Sequence, residues 1–290
     1  MKKIIILIPV YNDWKSVIKL LDQLNETLEE YDFIEVKCII VNDASTVDEP
    51  KLTKPKNIHQ LKIMNMKKNR GHARCNAFGI RYVIQKEEFD YLILMDGDGE
   101  DRPIEIKSFI NEILQEPEKS VVAKRVKRSE GVIFQYLYFM HKIITYIFTG
   151  KKINFGNYSC LTKKDLEKIS SKASLWSSYS GTVKKYVKNY NEIKSSRGLR
   201  YFGPSKMSLL NLIIHSFSII AVFKYQVLAR SALLLSFFTF LNFYFEVNLF
   251  FFKAILVIFC LTIFVVSTRE KKGDLFNSQE NLENINEVIH

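Results

Sequence analysis

The apolar run Tyr91-Leu92-Ile93-Leu94-Met95 passes without a break into Asp96-Gly97-Asp98-Gly99-Glu100-Asp101. The run reads as a buried strand, and the glycines and acids after it force a turn at the rim of a sheet. Four carboxylates within six residues repel one another unless something cationic sits among them. A hard divalent ion with oxygen ligands, shared with the phosphates of a nucleotide, relieves that repulsion. An EF-hand calcium loop does not fit, because Asp101 stands where that loop requires glycine. Taken alone, the segment leaves open the alternative of a solvated acidic turn.

Residues 3–9, 34–41, 61–64 and 120–123 read as further strands, and residues 14–30, 71–86 and 103–114 as helices between them, with Pro103 suited to a first helical turn. This alternation predicts parallel pairing through right-handed crossovers, an α/β nucleotide-binding architecture. Ligands in such sheets sit beyond the carboxyl ends of the strands. Three of those ends are polar: Tyr11-Asn12-Asp13, Asn42-Asp43-Ala44-Ser45 and the acidic turn. Their convergence on one rim is a stronger signal than any one of them.

The second half differs in character. Residues 132–149 are apolar but interrupted by Gln135, His141 and Lys142, which suits an amphipathic or interfacial helix. Residues 209–223 carry Asn211 and His215 among large apolar side chains and read the same way. Residues 227–245 and 249–266 follow, each about 27–29 Å long as helix and close to the ~30 Å hydrocarbon thickness of a bilayer. Two buried core helices are the alternative for this pair. Arg230 and Lys253 lie near the starts of these runs and should reach an interface. Lys206, Lys224 and Arg230 on one flank and Arg269, Lys271 and Lys272 on the other place both ends of the hairpin in the cytoplasm. From Gly273 onward a polar, acid-containing tail is expected to be disordered or weakly helical.

The net charge of +11 calls for an anionic partner. Nucleic acid is set aside, because the basic residues form no helical stripe and no nucleic-acid motif. Cys38, Cys75, Cys160 and Cys260 lack CxxC or CxxH spacing, which argues against zinc and disulfides and suits a reducing compartment. The apolar N-terminal stretch is too short for a signal peptide and reads as a first strand.

Together, Ile8-Pro9-Val10-Tyr11-Asn12-Asp13, Val41-Asn42-Asp43-Ala44-Ser45, Asn69-Arg70-Gly71-His72-Ala73, the acidic turn and Val122-Ala123-Lys124-Arg125-Val126-Lys127-Arg128 resemble family 2 glycosyltransferases of the GT-A fold. The string Arg197-Gly198-Leu199-Arg200-Tyr201-Phe202-Gly203-Pro204-Ser205-Lys206, placed before apolar helices, resembles their polyprenyl-phosphate branch, typified by dolichyl-phosphate mannose synthase and undecaprenyl-phosphate glucosyltransferases. The resemblance implies a Rossmann-like GT-A nucleotide-sugar domain over residues 1–205, an interfacial helix over 206–225, a two-helix transmembrane hairpin over 226–268 and a polar cytoplasmic tail over 269–290.

By the same resemblance, Pro9, Tyr11, Asp13, Asp43 and Gly71 hold the nucleotide-sugar donor, and Arg200 and Lys206 close over its phosphates. Asp96 faces the ribose and metal, Asp98 and Glu100 ligate Mg²⁺ or Mn²⁺, and Asp96, Asp98 and Arg125 form the catalytic set. Arg125 and Arg128 meet the acceptor phosphate. The implied reaction is inverting sugar transfer from a nucleoside diphosphate to polyprenyl phosphate at the cytoplasmic face of the cell membrane. A UDP-sugar is favoured and GDP-mannose is the alternative; membrane lipid is a partner, and a homo-oligomer remains open. The chain departs from the family at Asn42, where an acid is common, at Ala123, where glycine is usual, and at Asn154 and Asn157, where many relatives carry aspartate. Two other readings stay open: transfer to a hydroxyl with Asp101 as general base, and a non-catalytic nucleotide-binding membrane protein.

Overall fold

A computed structural model describes residues 1–127, 132–204 and 208–289. Arg128 and Lys206, expected at the acceptor and donor phosphates, lie outside the described residues. Strand β1 (Lys2–Val10) begins an eight-stranded sheet. It pairs in parallel with β2 (Ile34–Asn42) and β4 (Tyr91–Leu94), and β2 pairs in parallel with β3 (Gln60–Met66). β1 alternates its side chains between two cores. Ile4, Ile6 and Ile8 face the core that holds Trp14, Leu20 and Leu24 of α1 (Trp14–Leu28) and Phe109 of α3 (Ile106–Gln115). Ile5 and Leu7 face the other core, with Phe78 and Val83 of α2 (His72–Lys86). Ile4–Ile8 of β1 and all of β4 are therefore buried on both faces, and these stretches read as continuous apolar runs.

The expected all-parallel pairing holds for that half only. β6 (Phe155–Thr162) inserts antiparallel between β4 and β5 (Ser120–Lys127), and β7 (Tyr190–Ser196) returns parallel to β5 at the edge. The sheet is therefore mixed. α5 (Lys163–Ser170) and α6 (Tyr179–Tyr186) connect β6 to β7.

α4 (Val132–Thr149) precedes β6, and α7 (Leu209–Ala221) leads into α8 (Lys224–Tyr244) and α9 (Phe250–Ser267). Among the described residues, two helices are long and apolar enough to cross a membrane, beginning at Lys224 and Phe250. Only 11% and 17% of their most apolar windows are buried inside the protein, which removes the alternative of two core helices. Lys224 Nζ lies 3.2 Å from Glu270 Oε2, so the two ends of the hairpin are pinned side by side. Arg230 donates to the Ile147 carbonyl at 2.9 Å, at the end of α4, and Lys253 donates to Asn242 Oδ1 at 3.0 Å across the hairpin.

The polar tail is not the disordered or weakly helical segment expected from its composition. After a short helix, α10 (Lys272–Phe276), it forms β8 (Leu282–Glu287), antiparallel to β3. Asn65 Nδ2 donates to Asn284 Oδ1 at 2.9 Å, and Gln60 Nε2 donates to Glu287 Oε1 at 2.6 Å. An edge strand needs only this backbone ladder and polar side chains, so no apolar run announces it.

Candidate functional site

The carboxyl ends of β1, β2 and β4 deliver the three polar clusters to one rim. After β1, Tyr11 is 41% exposed and Asn12 takes a positive φ of 53°. Asn12 Oδ1 accepts the backbone N–H groups of Thr46 and Val47 at 2.8 and 3.1 Å, tying the first cluster to the loop after β2. Pro9 is half-buried near the end of β1, and Asp13 follows at the start of α1, where its Oδ1 accepts Ser16 Oγ at 2.7 Å.

Asp43 is 3% exposed. Its two carboxylate oxygens accept the backbone N–H groups of Arg70 and Gly71 at 2.7 and 2.8 Å. Burial raises its pKa, partly offset by those two bonds. Asp43 thereby holds the entry to α2, where Gly71 has a φ of +85° that only glycine adopts freely. Asn42 Nδ2 donates to Asn65 Oδ1 at 2.7 Å while its Oδ1 accepts Ser45 N–H at 3.0 Å. An acid could not make both bonds, which accounts for the amide at this position.

The acidic turn after β4 is held from several sides. Asp96 Oδ1 lies 3.3 Å from His72 Nε2, and the Asn157 amide lies 2.6 Å from the same ring nitrogen. Burial alone would raise the pKa of Asp96, but His72, Arg125 and Arg197 together hold it well below the ordinary carboxylate range. Burial likewise opposes the charged form of His72, yet Asp96, Asp98 and Asp101 outweigh it and raise its pKa. Asp101 is 5% exposed and accepts the Asp96 backbone N–H at 2.9 Å. Burial and the charge of Asp96 push its carboxyl up to about 8. Buried and engaged with the Asp96 N–H, the Asp101 carboxyl braces the turn.

The segment from Arg197 to Tyr201 closes over this turn. Arg200 pairs with Asp98 and reaches Asp13 Oδ2 at 2.9 Å, and Arg197 pairs with Glu100. Gly198 N–H donates to the Glu100 carbonyl at 2.8 Å and Tyr201 N–H to that of Asp98 at 2.9 Å. Gly99 has a φ of +88°, and a Cβ there would meet the Tyr201 ring at 2.6 Å. The Arg125 guanidinium lies over Gly156, where a Cβ would come within 2.5 Å of it.

Sequence reasoning quoted His72 and Arg197 within motifs without giving them roles. The structure brings His72 to Asp96 and Arg197 to Glu100. The available signal was a second arginine three residues before Arg200 and a histidine directly after the positive-φ glycine.

Burial and the neighbouring Asp96 push Asp98 up to about 6, the crowding expected where a cation is to be received. Among the described residues, no group of three or more His, Cys, Asp or Glu side chains is arranged to hold a metal. Asp98 and Glu100 are oxygen donors of the kind a hard divalent ion takes together with phosphate and water.

α7 meets the catalytic domain where Ile219, with Val222 and Phe223 after the helix, forms a buried cluster with Ile153 just before β6. His215 on α7 is pushed down to about 4, by burial first and then by the charges of His72, His141 and Arg125. At the foot of α9, Arg269 lies close enough to Arg74, in the first turn of α2, to add to the burial that lowers the Arg74 pKa.

Known proteins share the fold of this chain. An uncharacterised protein of Methanocaldococcus jannaschii is 26% identical over 113 residues, 38% of this chain and 46% of that relative, so the match spans less than half of its length. The crystal structure of residues 1–349 of TarS from S. aureus superposes with a TM-score of 0.50 at 12% identity, over 97% of this chain and 88% of that one. Glucosyl-3-phosphoglycerate synthase from Mycobacterium tuberculosis, crystallised with Mn²⁺, UDP-glucose and phosphoglyceric acid, superposes with a TM-score of 0.51 at 10% identity, over 78% of this chain and 80% of that one. These likenesses establish the GT-A-like α/β fold. Glycosyl transferase family 2 matches residues 5–170, more than half of the chain, and the protein belongs to that family.

Proposed function

We propose that this glycosyltransferase moves a sugar from a nucleoside diphosphate to a polyprenyl phosphate, with inversion, at the cytoplasmic face of a membrane. The observation that carries the reading is the packing of the apolar helices against the catalytic domain: Ile219 of α7, with Val222 and Phe223 after it, clusters with Ile153, four residues before Asn157, whose amide meets His72. An acceptor phosphate on a lipid anchored beside α7, α8 and α9 meets that rim without leaving the bilayer surface.

In this reading Asp43, Gly71, Pro9, Tyr11 and Asp13 hold the nucleoside end of the donor. Arg200, joined by Lys206, exchanges its contacts with Asp98 and Asp13 for the donor phosphates, which suit its planar fork. Arg125, with Arg128, receives the acceptor phosphate. Asp98 and Glu100, beside Asp96, hold a divalent ion, Mg²⁺ or Mn²⁺, which when bound neutralises the departing diphosphate. A phosphate monoester has its second pKa near about 6 and is already a charged nucleophile at neutral pH. The chain's task is then mainly positioning and charge stabilisation, with no dedicated base. Asn157, hydrogen-bonded beside His72, is compatible with that requirement.

UDP-glucose, the donor named for one GT-A-like structure, supports a UDP-sugar, with GDP-mannose the alternative. The test is formation of lipid-linked sugar by the purified protein with polyprenyl phosphate, divalent metal and a panel of UDP- and GDP-sugars. A product with one donor supports the reading, and no product with any donor rejects it.

A further inference from the structure

A cavity of about 380 Å³ that shares no lining residue with the catalytic rim opens between the end of α6, the start of β7 and the junction of α7 with α8. Tyr190, in its wall, pairs with Ser120 at the beginning of β5, whereas the catalytic clusters lie at the carboxyl ends of the strands. Lys151, Lys184, Lys185 and Lys188 all line this cavity, and no acidic residue does.

Their partners are neutral. Lys184 Nζ donates to Tyr190 Oη at 2.6 Å, and Lys185 Nζ donates to the Val222 carbonyl at 2.5 Å. Lys185 also lies over the rings of Tyr186 and Phe223. Among the described residues none of the four is in ion-pair contact with a carboxylate. Glu270, whose charge Lys185 feels, is already paired with Lys224. Four like charges around one concavity repel unless an anion enters it. The position narrows the choice of anion. Phe223, buried in the cavity wall, directly precedes Lys224, where the first membrane-length helix begins, and Tyr225 beyond it is 71% exposed.

We infer that this lysine-lined cavity binds the phosphate headgroup of an anionic membrane lipid, whose acyl chains lie along the exposed face of α8. The site rests on the membrane reading given above. It is separate from the donor and acceptor sites, and it fixes the rotation of the catalytic domain about the foot of the hairpin. Juxtamembrane lysines gain from anionic headgroups individually, and a concave group of four gains in addition from holding one phosphate among them.

The test uses full-length protein in neutral detergent and follows the thermal unfolding midpoint as lipid is added. Dioctanoyl phosphatidylglycerol should raise the midpoint saturably, and dioctanoyl phosphatidylcholine should not. K151Q/K188Q replaces two exposed lysines whose side chains make no hydrogen bond among the described residues. It should weaken half-saturation about 10-fold or more while UDP binding stays unchanged. A wild-type response in that variant, or no response to phosphatidylglycerol, overturns the site. An equal rise with inorganic phosphate at the same concentration overturns the lipid assignment in favour of a free-anion site. Protein that remains dispersed without detergent overturns the membrane reading itself, and the lipid site with it. Protein that needs detergent but ignores phosphatidylglycerol loses the site alone.

Discussion

Arg200 is ion-paired with Asp98, and the other arm of the same guanidinium reaches Asp13 at 2.9 Å. One side chain thus spans the ends of β1 and β4 and holds the segment from Arg197 to Tyr201 down over the acidic turn. In the proposed function a diphosphate replaces these contacts, which would couple donor binding to release of the two carboxylates.

Replacing Arg200 with alanine is expected to lower kcat/KM for the donor by about 10- to 150-fold, the range set by one or two charge-assisted hydrogen bonds worth roughly 1.5–3 kcal/mol. Lysine restores the charge without the fork and should recover only part of the loss. Steady-state kinetics on the productive nucleotide-sugar decide this, and equal activities for lysine and arginine would count against a two-armed role.

Asp101 separates two acceptor chemistries. Asparagine keeps an oxygen for the Asp96 N–H, and the native carboxyl, pushed up to about 8, is already largely neutral. With a phosphate acceptor, D101N should retain most activity. With a hydroxyl acceptor that uses Asp101 as base, activity should collapse. D101A leaves the buried N–H unpaired and should cost about 1–3 kcal/mol in stability, measurable by thermal unfolding.

Gly99 is the seat of Tyr201. G99A places a methyl group against the ring and strains a backbone at φ +88°, so both thermal stability and donor affinity should fall. Adding Y201A should restore only part of the stability, because the backbone strain remains.

The segment before β8 reaches the donor loop. Lys67 N–H donates to the Asn281 carbonyl at 2.8 Å, and Asn281 Nδ2 donates to the Lys68 carbonyl at 3.0 Å, two residues before the amides that grip Asp43. Removing residues 277–290 should raise KM for the donor several-fold while membrane association persists. An unchanged KM would show that the Asp43 loop holds its shape unaided.

Chelation by EDTA is expected to abolish sugar transfer, with recovery on adding Mg²⁺ or Mn²⁺. Nucleotide binding in calorimetry should weaken in parallel, because the ion and the phosphates share one cluster of charge. Transfer that ignores the chelator would remove the metal role of Asp98 and Glu100.

The nucleotide half of the fold was legible because the central residues of β1, the second half of β2 and all of β4 are buried and form apolar runs. β6 was missed, since Phe-Gly-Asn-Tyr-Ser-Cys-Leu-Thr carries polar residues that turn toward His72 and Tyr179. β7 was missed because it lies at the sheet edge, where only Ile193 and Ser195 are buried. Asp43, Asp96, Asp98 and Arg200 were legible as candidates because acids and arginines at strand ends and in strings are conspicuous in sequence. The positions of His72 against Asp96 and of Arg197 against Glu100 depend on loop closure, which no local pattern encodes.

β8 follows both long apolar helices in the chain yet completes the sheet that begins at Lys2. During synthesis the β3 edge must therefore wait, uncovered, until the hairpin has emerged and its exit segment has doubled back. Biogenesis of the catalytic fold and seating of its anchor are thus ordered steps. A version cut short before the hairpin would carry an open strand edge prone to self-association, however sound its remaining core.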